Sequence, residues 1–152
     1  TAYAPCPKGD AKWIKNGGQA VNGSCTDNAG NSTSAGATVK LDKTLPAISG
    51  MPVNCMLAPV DQQMVALGSI TSLDALSGLS SFLVTASAPN TAPGDIVFTQ
   101  PSPNAYAVSL RATVPGRLYT IQATATDLAG NTATASATCS VGSSGRPAPI
   151  RR

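Results

Sequence analysis

The chain has 152 residues, a formal net charge of +3 and no histidine, and only 11% of its residues are charged, against about 25% in a typical globular domain. Without an imidazole, the sequence excludes Ser-His-Asp and Cys-His triads, HExxH zinc sites and imidazole proton shuttles. The weak, scattered positive charge argues against a nucleic-acid partner. No stretch approaches the roughly 20 apolar residues of a membrane-spanning helix, so membrane insertion is not expected.

Abundant Thr, Ser, Gly and Pro, with no Glu and only 4% aromatic residues, predict short strands and turns around a thin core. Residues 1–41 are predicted to hold the last strands of an incomplete sandwich. About three strands are expected there, around Ala11–Lys15, Gln19–Thr26 and Thr33–Leu41. Because three strands leave one face without a partner sheet, this unit would be marginally stable alone.

Residues 42–50 are predicted to be a short linker stiffened by Pro46. Residues 51–141 are predicted to form a complete two-sheet sandwich, because turn signals recur about every 8–12 residues. Residues 142–152 are predicted to be an extended tail. The seven strands expected in the sandwich are Val53–Leu57, Met64–Leu73, Ser81–Ser87, Asp95–Gln100, Tyr106–Thr113, Leu118–Thr126 and Thr132–Val141.

Two segments that lie 100 residues apart share a turn sequence: residues 27–31 and 127–131 both read Asp-x-Ala-Gly-Asn. Aspartate can accept bonds from nearby backbone N–H groups and glycine can take the left-handed conformation, so each segment predicts a tight hairpin. One carboxylate per loop is too few for an EF-hand calcium loop, and no metal is expected. The predicted turn residues are Asp27, Gly30, Asn31, Asp127, Gly130 and Asn131.

The four cysteines, Cys6, Cys25, Cys55 and Cys139, include no CxxC pair. Without histidine, a metal site would need all four thiolates at unsuitable spacings. The even count therefore predicts two disulfides, in one of three possible pairings. Disulfides indicate an oxidising compartment, so the protein is expected to be secreted or on the cell surface.

The hairpin motif, followed by Leu41-Asp-Lys-Thr-Leu-Pro-Ala-Ile48, resembles the immunoglobulin-like repeats of bacterial secreted and cell-surface proteins. In those repeats a DNAGN hairpin leads through a DKTxPxI segment into the next domain. The resemblance covers most of the chain. It implies an all-β, immunoglobulin-like antiparallel β-sandwich with no catalytic residues and no cofactor. It also implies the disulfides Cys6–Cys25 and Cys55–Cys139.

The expected function is a non-enzymatic, extracellular structural or adhesive module whose partners are neighbouring immunoglobulin-like domains. An alternative is a self-assembling filament subunit, in which another copy completes the first unit. A second alternative is a carbohydrate- or ligand-binding module, for which Trp13, Tyr106 and Tyr119 are the stacking candidates, although core positions are the simpler interpretation. For an enzyme, the remaining candidates include Asp74 and Asp95, which fall in or beside predicted turns.

Overall fold

The computed structural model describes residues 16–58 and 61–142, which contain β-strands and no helix. The chain divides into two compact units between Thr44 and Leu45. No helix in the described residues is long and apolar enough to cross a membrane.

The first unit contains an antiparallel pair of strands, β1 (Gly17–Thr26) and β2 (Ser32–Leu41), which we call the ribbon. All ten residues of each strand pair without a bulge. The strand expected around Ala11–Lys15 lies outside the described residues. At the open end of the ribbon, Asn16 accepts a bond from the Lys43 N–H at 2.8 Å and donates one to the Thr44 hydroxyl at 2.7 Å.

The second unit is a sandwich of two four-stranded sheets, ordered β4-β10-β9-β6 and β3-β5-β8-β7. Neighbouring strands are antiparallel except β4 and β10, which are parallel. The strands are β3 (Ala47–Ser49), β4 (Cys55–Leu57), β5 (Met64–Leu73), β6 (Leu79–Ser87), β7 (Ile96–Ser102), β8 (Ala105–Arg111), β9 (Leu118–Asp127) and β10 (Thr132–Val141).

This strand order is that of an immunoglobulin-like sandwich. Strands β3, β5, β8 and β7 take the places of A, B, E and D, while β6, β9 and β10 take those of C, F and G. Strand β4 adds to the second group beside β10, so the chain crosses from one sheet to the other between β3 and β4. The expected all-β immunoglobulin-like fold is therefore confirmed.

Two expectations about the start of this unit need correction. Residues 47–49, expected to be linker, form β3 and pair with β5 through Ala47↔Leu73. Pro46 is compatible with that strand because proline is tolerated immediately before a strand begins. The strand expected from Val53 begins only at Cys55, because Asn54 has a left-handed backbone with φ of 49° that interrupts the extended chain.

The core lies between the two sheets of the second unit and is built from alternating strand positions. On β9, the side chains of Tyr119, Ile121, Ala123 and Ala125 are fully buried, while the residues between them face outward. Leucine, isoleucine, valine and phenylalanine side chains complete the core: Leu57, Ile70, Phe82, Val84, Val108, Leu110 and Val141.

Candidate functional site

The turn of the ribbon is closed by a single carboxylate. Asp27 Oδ1 accepts bonds from the N–H groups of Ala29 and Asn31, and Oδ2 accepts one from the Asn31 side-chain amide, all at 2.8–2.9 Å. Gly30 supplies the positive φ of 88°. The Asn31 amide and these backbone donors hold the pKa of Asp27 below its ordinary value, because they stabilise the ionised form. The carboxylate therefore organises the turn.

The second turn repeats this geometry in a buried setting. Asp127 accepts bonds from the backbone and side-chain N–H groups of Asn131, both at 2.7 Å, and Gly130 has a φ of 93°. Asp127 is only 1% exposed, because the β5–β6 loop covers this turn, with the Leu128 N–H donating to Gly78 O at 2.9 Å. The same turn chemistry is therefore exposed in one unit and part of the packed interior in the other.

Asp74, in the β5–β6 loop, lies next to this second turn. One of its carboxylate oxygens is within 4.8 Å of an oxygen of Asp127. Its Oδ1 accepts bonds from the backbone N–H groups of Leu76, Ser77 and Gly78 at 2.8–3.1 Å. Asp74 is thus a loop-organising residue, as its predicted turn position suggests.

Asp74 and Asp95 are not brought together. Asp74 follows the end of β5, whereas Asp95 immediately precedes Ile96, which lies at the level of Leu110 and Val65 near the start of β5. The length of β5 separates them, about 30 Å for a ten-residue strand. The structure gives this pair no shared catalytic role.

Asp95 instead forms a buried ion pair with Arg117. The Arg117 guanidinium lies 2.8 Å from Asp95 Oδ2, and Arg111 approaches Oδ1 at 3.4 Å. The bond from the Ala92 N–H, followed by the two arginines, lowers the pKa of Asp95 despite its burial. This cluster ties the β6–β7 loop to the β8–β9 corner. Sequence reasoning missed it because 22 residues separate Asp95 from Arg117.

Tyr119, a stacking candidate in the sequence, is a fully buried core residue. Its hydroxyl donates to Arg111 O at 2.8 Å, across the corner between β8 and β9. This is the arrangement known as the tyrosine corner of immunoglobulin-like domains. Tyr106 is half-buried against Phe82, with ring centroids 5.6 Å apart. Tyr119 therefore offers no exposed face to a sugar ring, and Trp13 lies outside the described residues.

A disulfide joins Cys55 on β4 to Cys139 on β10, the pairing that the family resemblance implied. It links neighbouring strands of one sheet, whereas the disulfide of antibody domains connects the two sheets. The two residues are 84 positions apart, so the bond encloses nearly the whole sandwich. Cys25 is also disulfide-bonded. Cys6 lies outside the described residues, so the Cys6–Cys25 pairing stays a prediction.

The ribbon has the same pairing register as the last hairpin of the sandwich. Val21 pairs with Ala37 as Ile121 pairs with Ala137, and the nine pairs from Gly18↔Lys40 to Thr26↔Ser32 all recur 100 residues later. The repeated sequence therefore corresponds to a repeated structure. The ribbon is the counterpart of β9 and β10.

The two hairpins differ in what covers them. In β9–β10 one face is buried against the second sheet. The corresponding face of the ribbon, which we call the inner ribbon face, has no buried residue: Val21 is 47% exposed, whereas its counterpart Ile121 is 0% exposed. Among the described residues of the first unit, no second sheet covers this face. Its residues are Gln19, Val21, Gly23, Cys25, Thr33, Ala35, Ala37, Val39 and Leu41.

No family model matches the chain, and no curated protein matches it. Similar solved structures include the titin M3 domain, with 18% identity and a TM-score of 0.42 over 64% of this chain and 96% of that chain. The extracellular cadherin domains 1–5 of protocadherin gamma B2 have 15% identity and a TM-score of 0.48, covering 84% of this chain and 25% of that one. The extracellular domain of protocadherin gammaB4 has 15% identity and a TM-score of 0.49, covering 82% of this chain and 20% of that one. The chain thus spans a quarter or less of these two protocadherin chains, and the fold assignment rests on its strand order and pairing.

Proposed function

We propose that this chain is a non-enzymatic, extracellular structural module of a bacterial surface or secreted protein, in which immunoglobulin-like units follow one another along the chain. The observation that carries the proposal is the hairpin repeated in the same register 100 residues apart, once in each unit. The same hairpin in two successive units indicates a chain built from repeated modules. The resemblance to bacterial surface repeats supports the same function.

The Cys55–Cys139 disulfide suits a module that transmits tension. Cys55 lies on the first strand of its sheet and Cys139 near the end of the last strand. A force that enters before Cys55 and leaves after Cys139 passes through this covalent bond. Strands β5 to β9 lie between the two cysteines, so tension can detach β3 from β5 but cannot draw out the chain between Cys55 and Cys139.

Single-molecule stretching of the full chain tests this function. With the disulfide intact, the residues between Cys55 and Cys139 add nothing to the extension. After reduction, or in a C55S/C139S variant, unfolding of the second unit should release a further 280–300 Å or so, from 84 residues at about 3.3–3.6 Å each. Equal extensions before and after reduction would contradict a force-bearing role.

The extracellular assignment needs a separate measurement on the native source. Surface proteolysis of intact cells, followed by non-reducing peptide mapping, should release peptides that contain the Cys55–Cys139 link. Recovery of the chain only from lysed cells, with its thiols reduced, would overturn this assignment.

A second candidate function is a self-assembling subunit, and the inner ribbon face favours it. That face repeats a pattern that is buried in the second unit, and no sheet among the described residues of the first unit covers it, so a second copy would take the place that the opposite sheet has in the second unit. The test is the molar mass of the native chain across a dilution series, without reductant. V21K, on the inner face, should abolish association through the ribbon. The control A20K places the same charge on the opposite face and should leave association unchanged. Association that is insensitive to V21K would contradict this candidate.

A further inference from the structure

The two sheets of the second unit have four edges, and three of them are poorly suited to pairing with another strand. Strands β3 and β4 are three residues long. Strand β7 contains Pro101, and its pairing shifts register between Thr99 and Ser102. Short strands, proline and bulges are the devices by which natural proteins prevent edge-to-edge pairing.

Strand β6 has none of these protections over most of its length. It has nine residues and pairs only with β9 among the described strands. Its sequence, Leu79 to Ser87, contains no charged residue, proline or glycine. The one irregularity lies at its start, between Leu79 and Ser81. From Ser81 onward β6 is therefore a regular, uncharged edge that no other described strand covers.

The sheet surface beside this edge is also uncharged. Leu83 faces outward on β6 and is 56% exposed, although large apolar side chains usually gain from burial. The outward positions of β6, β9 and β10 are mostly hydroxyl-bearing and lack charge: Ser81, Leu83, Thr85, Ser87, Leu118, Thr120, Gln122, Thr124, Thr126, Thr132, Thr134, Ser136, Thr138 and Ser140. An identical surface approaching this edge would meet no like-charge repulsion.

Strand β6 is also complementary to itself. An antiparallel pair related by a two-fold axis at Leu83 sets Leu83 opposite Leu83, Phe82 opposite Val84, and Ser81 opposite Thr85. Inward residues then meet inward residues, and outward residues meet outward ones. Aromatic–β-branched and Ser–Thr pairs of this kind are favourable across antiparallel strands.

We propose that β6 pairs with β6 of a second copy, which joins two β4-β10-β9-β6 sheets into one continuous sheet across a two-fold axis. The outward-directed N–H and C=O groups of β6 would bond to the second copy. This interface closes on itself, and it lies in the second unit, so it does not depend on the ribbon or on the function proposed above.

Light scattering of the full chain after size exclusion, over a concentration series without reductant, tests the proposal. The wild type should have the mass of two chains at high concentration and of one chain on dilution. L83K places a charge at the centre of the edge and should remain a single chain throughout. T124K is the matched control: Thr124 pairs with Leu83 on the neighbouring inner strand and shares its outward face, so this variant should associate like the wild type.

Hydrogen exchange gives a second readout, in which the β6 amides not bonded to β9 should become protected as concentration rises. Circular dichroism checks the fold of L83K, and if that variant is unfolded, T85K on the same edge replaces it. A wild type that remains a single chain, or association equally strong in L83K and T124K, would overturn the proposal. Association lost in V21K but kept in L83K would assign the contact to the ribbon instead. If the chain remains a monomer and its β6 amides become protected only when a peptide of another sequence is added, the edge accepts a different strand. That result would overturn pairing of β6 with a second copy.

Discussion

Replacing Tyr119 with phenylalanine removes one buried hydroxyl and the two hydrogen bonds that it makes. The ring keeps its packing, and only the hydroxyl is removed, which donates to Arg111 O at 2.8 Å and accepts a bond from Arg117 Nη1 at 3.2 Å. Arg111 O also accepts a bond from the Thr113 N–H at 3.1 Å, and Arg117 keeps its bonds to Asp95 and Thr113. No buried group is therefore left without a partner. The expected cost is the net value of these two hydrogen bonds, about 1–3 kcal/mol, without the added penalty for an orphaned group.

Urea unfolding followed by far-ultraviolet circular dichroism measures this cost. For a domain of this size, 1 kcal/mol corresponds to about 4–8 °C in Tm, so thermal unfolding should show the same ordering of variants. Y106F is the control, because Tyr106 makes ring contacts with Phe82 and Phe98 and its hydroxyl has no hydrogen-bond partner among the described residues. It should lie within about 0.5 kcal/mol of the wild type. Equal losses of unfolding free energy in Y119F and Y106F would refute the stabilising role of the Tyr119 hydroxyl.

Three further predictions concern the disulfide, the buried ion pair and the turns. Removing the Cys55–Cys139 bond should cost about 4–5 kcal/mol in the loop-entropy model, given the 84-residue separation; a loss below about 1 kcal/mol in C55S/C139S would contradict that. The lowered pKa of Asp95 contributes stability above its unfolded pKa of about 3.9, and this is lost as the pH falls through the folded value. The difference in free energy of unfolding between wild type and D95N should therefore shrink as the pH is lowered. A constant difference down to pH 2 would contradict this prediction. D127A should lower the free energy of unfolding more than D27A, because Asp127 is buried and Asp27 is exposed; equal losses would show that burial adds nothing to the turn.

The strand pattern of the second unit was largely predictable, because alternation of buried and exposed residues is a local property. The bounds of β5 and β10 agree with the prediction, while β3 was missed because three residues are too few to show a period. The hairpin turns were found from two five-residue motifs whose hydrogen bonds are local. The Asp95–Arg117 pair and the Tyr119 corner were not found, because each joins segments that only the folded sandwich brings together. No local pattern distinguishes these residues from ordinary loop and core residues.

The position of the disulfide and the exposure of the ribbon lead to one conclusion about how this chain responds to force. In the second unit, a covalent bond connects β4 to β10, so tension cannot draw out the chain between Cys55 and Cys139. In the first unit, the described contacts of β2 with β1 are the hydrogen bonds and small side-chain pairs of a two-stranded ribbon without buried residues. Such a hairpin has little stability of its own. With the Cys25 disulfide reduced, tension applied between Gly17 and Leu41, which pair at the open end of the ribbon, should separate β2 from β1 pair by pair at low force. A protein that covers the inner ribbon face would raise that force, so the same stretching experiment would detect its binding.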